Sequence, residues 1–493
     1  MNNSKLFFAG MLAFFVFANS CKRDELIIGE TDYPKDIAYI MLSKCAMKGC
    51  HVHDAVHTGH NGTEEELPDF SSWSKMFEGS EHSGALVIPY RADFSSLMYF
   101  VNTYPDLGPI SEPTMPKDGP VLSRAEVIKL KEWINAGAPD SKGNVKFSGN
   151  PSRKKYYVLN QGCRVVTVMD AETNLPMRYV DVADASEQNL AAHYMIQVGQ
   201  YWYASFVGGA YIKKFRASDD SYVGKIYVGA ASWSEMAATP DGNYLFIVEY
   251  APSPGGKLVK CDLNQMKVID STSLADTPHG ARVSPDGKNL YVTTTAGNYL
   301  YKIHVDSLSK PGSFEYIAFT MQGPAPSLQY NSHDIVFSPD GSKYYVSCTG
   351  NNGSGDISIK VFDAATDNLL TSIPLQAGPY HMDFSVSKNL LFATSYEGTY
   401  QGLEGRVSII DLASNTWLKD LAAGVQPHGL AVDDGAGLVY VANRNISGNA
   451  LPHHSSVCGG VNGTVSYIDL NTLEMLDKEV ITARDPYIII IRH

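Results

Sequence analysis

From about residue 155 onward, apolar and polar residues alternate in short runs, the two-residue period of strands with one buried face. Breakers such as Pro-Asp-Gly separate the runs. Proline presets φ and glycine supplies a positive φ, so each breaker is a hairpin turn. The strands come in fours, and the pattern repeats roughly every 40–60 residues. The third strand of a group ends in aspartate, as in Val465–Asp469, Val407–Asp411 and Ile359–Asp363. Residues 33–140 carry a different period. Ile37, Ile40 and Met41 sit at helical spacing within Asp36–Lys44, as do Val127, Leu130, Trp133 and Ile134 further on. Ser123 and Glu126 form a capping box ahead of that second helix, and Gly137 is a natural stop. The polar, breaker-rich residues 141–154 form a linker.

The repeats bring histidines to one recurrent position. Pro-His279-Gly, Pro-His428-Gly and Ser-His333-Asp each precede a tyrosine of the next strand by twelve residues. Counting inner-strand starts gives His193, Ser234, His279, His333, His381, His428 and Tyr487, hence seven groups. The register around His381 also allows Tyr380 to take that place. The chain ends in Ile488 to Ile491, an inner strand without later partners. Its three partners are found at the front, in Tyr156–Leu159, Arg164–Asp170 and Met177–Val182. First and last segments therefore share one sheet, which hides the exposed edges. The pattern predicts a seven-bladed β-propeller over 155–493. Tyr440-Val441-Ala442-Asn443 and the repeats around it resemble the YVTN family of propellers.

The helix at Asp36–Lys44 runs into Cys45-Ala46-Met47-Lys48-Gly49-Cys50-His51. Two thiols followed by histidine suit covalent haem, the thiols forming thioethers and His51 binding iron as the proximal ligand. Four residues separate the cysteines where two are usual, so the extra residues must loop out. A disulfide between Cys45 and Cys50, or a zinc site with His51 and His53, would also use these groups. Pro113-Thr114-Met115-Pro116 and the later amphipathic helix with Trp133-Ile134 together resemble the closing half of class I cytochrome c domains. The resemblance covers nearly all of 33–140 and implies a small all-α cytochrome c domain, with Met115 as the distal iron ligand. His53, His57, His60 and His82 are alternatives to Met115, and Met47 lies within the attachment loop.

Lys5, the apolar run Leu6–Phe17 and Ala18-Asn19-Ser20-Cys21 read as a signal peptide over 1–20. The end of it resembles a bacterial lipobox, with Ala18 where leucine is usual, and implies lipidation at Cys21 and a tether over 21–32. Lys22-Arg23-Asp24-Glu25 resembles surface-export signals of Bacteroidetes lipoproteins. The expected location is the outer membrane, on its periplasmic or outer face. A net charge of −13 opposes binding to nucleic acid. Seven cysteines are too few for a disulfide framework in 493 residues, and Cys163, Cys348 and Cys458 read as buried structural cysteines.

The recurrent histidines crowd one mouth of the propeller channel, within reach of Pro452-His453-His454 on a long loop. Two readings follow. Each imidazole can hydrogen-bond the neighbouring blade, or His193, His279, His333, His381, His428, His453 and His454 can bind copper, another metal or a second haem. The order of domains is similar to haem d nitrite reductases, and the histidine-lined mouth to nitrous oxide reductase; both are fold-level analogies. The leading expectation is an oxidoreductase, or its electron-transfer component, in which haem c relays electrons to or from the histidine mouth. A non-enzymatic carrier, its propeller docking a redox partner of the envelope, is the alternative. A lactonase-like hydrolase is a third, without a recognisable Ser-His-Asp set.

Overall fold

The computed structural model describes residues 31–492 except 48, 53–55, 59–63, 81–83, 118, 185, 188, 252–254, 311–313, 321–322, 325–329, 351–355 and 448–456. Seven four-stranded antiparallel sheets make the seven blades of a β-propeller. Blades one to six begin with inner strands Ala191–Val198, Trp233–Ala238, Pro278–Val283, Ser332–Phe337, Met382–Ser385 and Pro427–Asp433. Blade seven joins the ends of the chain as expected. Pro486–Ile491 pairs with Lys155–Asn160, followed outward by Val165–Asp170 and Leu175–Asp181.

Local chemistry explains the regularity. In Ser284-Pro285-Asp286-Gly287, the Asp286 carboxylate accepts from the Ser284 hydroxyl at 2.6 Å and the Lys288 N–H at 3.1 Å. Ser338 and Asp340 repeat the turn at 2.6 Å. Where the third strand closes on aspartate, the carboxylate serves the next turn: Asp363 accepts from the N–H groups of Ala365 and Thr366, whereas blades one and three end that strand in Arg216 and His304. Inner and middle strands are nearly wholly buried, because each blade face packs on a neighbour. Trp202, for example, stacks on Phe215 at 3.9 Å in a core shared by blades seven, one and two.

The expected small all-α domain is not what precedes the propeller. Strand makes up 44% of the chain and helix 9%. Among the described residues of 31–154, α-helix is confined to α1 (Lys35–Ile40), α2 (Trp73–Met76), α3 (Ser96–Val101) and α4 (Arg124–Asn135). A π-helical turn, Met41–Cys45, ends α1 after six residues, and Val56–Thr58 pairs antiparallel with Glu64–Glu66. Prolines at 68, 89, 105, 109, 113 and 116 explain the shortfall, since each lacks a helical N–H and restricts the residue before it. α4 has the expected capping box and buries Val127, Leu130, Trp133 and Ile134. Those side chains share a core with Tyr33, Ile37, Met41 and Cys45. This unit leans on blade seven, where Phe94 stacks on Tyr179 at 4.2 Å and Arg91 reaches Asp181 at 3.1 Å.

Candidate functional site

Cys45 closes the π-turn and is buried, whereas Cys50 is exposed; both thiols are free, so no disulfide joins them. The loop between them turns outward, with Met47 exposed and Gly49 at φ 81°. Burial pushes the Cys45 thiol up to about 12, which disfavours the thiolate that zinc requires. The Nδ1 of His51 lies 3.1 Å from the Pro68 carbonyl, and Phe70 N–H returns a bond to the His51 carbonyl at 3.0 Å. A carbonyl can only accept, so Nδ1 is the nitrogen that donates in this contact. Met115 is held by its N–H to the Phe100 carbonyl at 2.8 Å and packs against the cluster that contains Cys45.

At the propeller axis, hydroxyls on the second strands of blades one, three, four and five stitch each of these to the next inner strand. Ser205 donates to the Ser234 carbonyl at 3.3 Å, Thr293 to His333 at 2.9 Å, Ser347 to Tyr380 at 3.0 Å, and Thr394 to His428. These rungs put Ser234, His333, Tyr380 and His428 on one level. The same bulge after Pro278, Ser332 and Pro427 adds His279 to it. Tyr380 therefore takes the ring position in blade five, and His381 lies one residue deeper, level with Glu235 and Asp334.

The five imidazoles converge all the same, and all are buried. Ring centroids lie 3.7 Å apart for His279 and His333, 4.7 Å for His381 and His428, and 6.5 Å for His193 and His279. Tyr487 closes the circle at 3.8 Å from His428 and 4.7 Å from His193. Some of these histidines do serve the neighbouring blade: Nδ1 of His279 bonds the His333 carbonyl at 3.3 Å, and Nδ1 of His428 the Tyr487 carbonyl at 3.0 Å. Gln161 stands 3.3 Å from Nδ1 of His193. By contrast, Nδ1 of His333 and Nε2 of His381 are buried without a hydrogen-bond partner. Burial above all, with neighbouring imidazoles and Arg444 adding for some, pulls His193, His279 and His381 down to about 3. Burial first, and then neighbouring imidazoles, hold His333 and His428 well below the usual histidine range as well. All five rings are neutral at physiological pH, the state that can donate a lone pair to a metal.

Below the ring the channel widens to a cavity of about 440 Å³ lined by Tyr194, Arg282, Asp334, His381, Asp383 and Ile488 among others. Asp334 and Asp383 line this cavity, and Glu235 stands beside Asp334 and His381; none of the three was foreseen as a site residue. The signal of Glu235 and Asp334 was an acid inside an otherwise buried inner strand. Asp334 accepts the N–H groups of Ile335 and Met382 at 2.7 and 2.9 Å; Asp383 accepts those of Phe384 and Val432, both at 2.8 Å. Glu235 has one long contact, 3.4 Å from the Ala281 N–H to Oε2, and its Oε1 has no hydrogen-bond partner. Desolvation and Asp334 push Glu235 well above the usual carboxylate range, and burial lifts Asp383 to about 6. Glu235, His279 and His333 place donor atoms within 4.8 Å of one another, as do Glu235, Asp334 and His381.

Cys21, His53, His60, His82, His453 and His454 lie outside the described residues, and of His57 only the backbone is described. Cys163 and Cys458, read as separate buried cysteines, form a disulfide 295 residues apart in sequence. Cys348 is buried and free, as expected. Among the described residues no helix is long and apolar enough to cross a membrane.

No family model matches the chain, and no curated protein matches it. Among solved structures it is similar to Kuenenia stuttgartiensis hydrazine synthase, with 17% identity over 59% of this chain and 84% of that one, at a TM-score of 0.44.

Proposed function

We propose that this is an exported redox protein in which covalent haem, held by Cys45, Cys50 and His51, exchanges electrons with the histidine-lined mouth of the propeller. The observation that carries the reading is the His51 Nδ1 contact with the Pro68 carbonyl. Metal-bound imidazoles are oriented by such a bond, which fixes the tautomer with Nε2 as the ligand atom. The free thiols of Cys45 and Cys50 suit thioether formation, and Met115 on the same core suits the sixth iron position. The haem would supply a one-electron couple. With His51 and Met115 both engaged in holding it, the group would leave no place for substrate, and chemistry would fall to the mouth.

The Cys163–Cys458 disulfide supports an oxidising compartment, in keeping with export through residues 1–20 and a lipid anchor at Cys21. A partner protein of the envelope would then deliver or collect electrons. The test is the mass and absorption spectrum of chain matured with haem-attachment machinery. One covalent haem per chain is expected, lost in Cys50→Ser together with Cys45→Ser, and a spectrum altered in Met115→Ala. An unmodified mass after maturation that succeeds on a control cytochrome rejects the reading.

A further inference from the structure

We propose that Glu235, His279 and His333 form a site for one divalent first-row transition-metal ion inside the propeller channel. The inference deepens the reading of the mouth as the second redox centre. It rests on that reading only for the ion's role in electron exchange.

The three side chains come from the inner strands of blades two, three and four, and their donor atoms lie within 4.8 Å of one another. Inner strands locked by the hydroxyl rungs are rigid supports, so the donors need only small rotations to close on an ion. Two of their atoms, Glu235 Oε1 and His333 Nδ1, are buried without a partner, on residues 1% and 7% exposed. Leaving a buried carboxylate oxygen and an imidazole nitrogen without hydrogen bonds costs stability, and the 3.8 Å approach of His279 Nδ1 to Glu235 Oε1 is too long to be one. Blade stitching does not account for them. Asp334 and Asp383 stitch blades with both carboxylate oxygens occupied, whereas Glu235 keeps one oxygen for the channel. The third donor stands beside the other two: Nδ1 of His279 lies 3.8 Å from Glu235 Oε1 and 3.3 Å from the His333 carbonyl, so a turn of this ring brings a lone pair to the ion.

Two imidazoles and one carboxylate are a borderline donor set, suited to iron(II), manganese(II) or zinc rather than to copper(I), which prefers softer ligands. No thiolate is at hand: Cys348 packs in the apolar cluster of blades three and four. Three protein ligands leave further coordination positions, and His381, whose Nε2 is unpartnered and whose ring centroid is 5.5 Å from that of His333, is a further donor on the cavity side.

The test uses the full haem-matured chain, stripped with a chelator and reloaded anaerobically with iron(II), manganese(II) or zinc. Bound metal is counted by elemental analysis after subtracting haem iron, which is read separately from the haem spectrum. About one non-haem ion per chain is expected, with roughly tenfold weaker retention in Glu235→Gln and in His333→Gln. Asp383→Asn, whose carboxylate is already satisfied, should retain the ion, and near-UV circular dichroism checks that each variant is folded. No non-haem metal in the wild-type chain, or equal retention by a folded Glu235→Gln, overturns the proposal. Retention by Glu235→Gln with loss in His428→Gln likewise overturns it, placing the ion in an all-imidazole ring. The haem spectrum reports on the relay and the second metal on this site, so either can fail alone.

Discussion

In a propeller repeat the partners of each imidazole nitrogen show which rings the blades already use. Nδ1 of His279 and Nδ1 of His428 each find a carbonyl of the next blade, whereas Nδ1 of His333 finds nothing. His279 and His428 were legible because Pro-His-Gly recurs, and His333 because Ser-His-Asp holds the same spacing to the next tyrosine. Glu235 was not, because blade two replaces the motif with Trp-Ser-Glu and the acid reads as an ordinary strand residue. Burial also sets a pH dependence. His193 is lowered to about 3, by burial first and then by His279 and Arg444, against roughly 6.5 in an unfolded chain. A lowered base favours the neutral fold, so its contribution is complete above pH 6.5 and is lost as pH falls toward 3, by ~1.4 kcal/mol per pH unit. Asp383, raised to about 6, works the other way, contributing more as pH falls through 6 toward 4. With chelator present, the melting midpoint should be flat above pH 7 and fall below 6.5. The fall should be shallower in His193→Gln and steeper in Asp383→Asn. A wild-type midpoint that holds to pH 4.5 contradicts the assignment.

At the scale of elements, alternation and turn chemistry carry much of the information. The seven groups of strands, the closing blade and the capped α4 all follow from periods of two and 3.6 with their punctuation. Two features did not follow. The π-turn at Met41–Cys45 continues the helical spacing and cannot be told from α-helix by period alone. The level of His381 depends on a shorter hairpin, and the Ser347 rung to the Tyr380 carbonyl resolves it. The glycine of Pro-His-Gly shows why the inner ring is tight. A Cβ on Gly280 would stand 2.3 Å from the His333 carbonyl and 2.8 Å from the Thr293 hydroxyl, so inner strands of blades three and four would have to part. Gly280→Ala should cost ~1–3 kcal/mol in denaturant unfolding and weaken metal retention, because the displaced strand carries His333. Gly435→Ala, on a surface turn 3.2 Å from the flexible Asp433 carboxylate, should cost under ~1 kcal/mol and leave retention intact. Equal effects at the two sites would mean that inner-strand contact does not set the ring.

For the molecule as a whole, the decisive region is where closure, disulfide and N-terminal unit meet. Blade seven is made from both ends of the chain, and Cys163–Cys458 ties its first turn to the long loop of blade six. No local pattern could foretell that bond, because only ring closure brings residues 295 apart together. The same turn faces two ways. Gln161 touches His193 at 3.3 Å and Arg444 at 3.4 Å, while Cys163 packs with Ile88, Tyr179 and Ala483 under Phe94. The turn thus links the unit bearing Cys45 and His51 to the histidine mouth through packed and hydrogen-bonded groups. Removing the disulfide with Cys163→Ser and Cys458→Ser should lower stability by ~2–5 kcal/mol, the range for a native crosslink closing a long loop. Phe94→Ala with Arg91→Ala should instead leave the propeller's melting nearly unchanged. It removes contacts at the seam: the Phe94 stack on Tyr179, the Arg91 pairs with Asp181 and Asp93, and the Arg91 bond to the Tyr179 carbonyl. In that variant residues 141–154 should be cut faster by protease, and in chain loaded with the proposed haem and the proposed channel ion, electron exchange between them, followed after flash reduction, should slow. Unchanged exchange with readily cut residues 141–154 would show that the seam at blade seven is not the route between the two proposed centres.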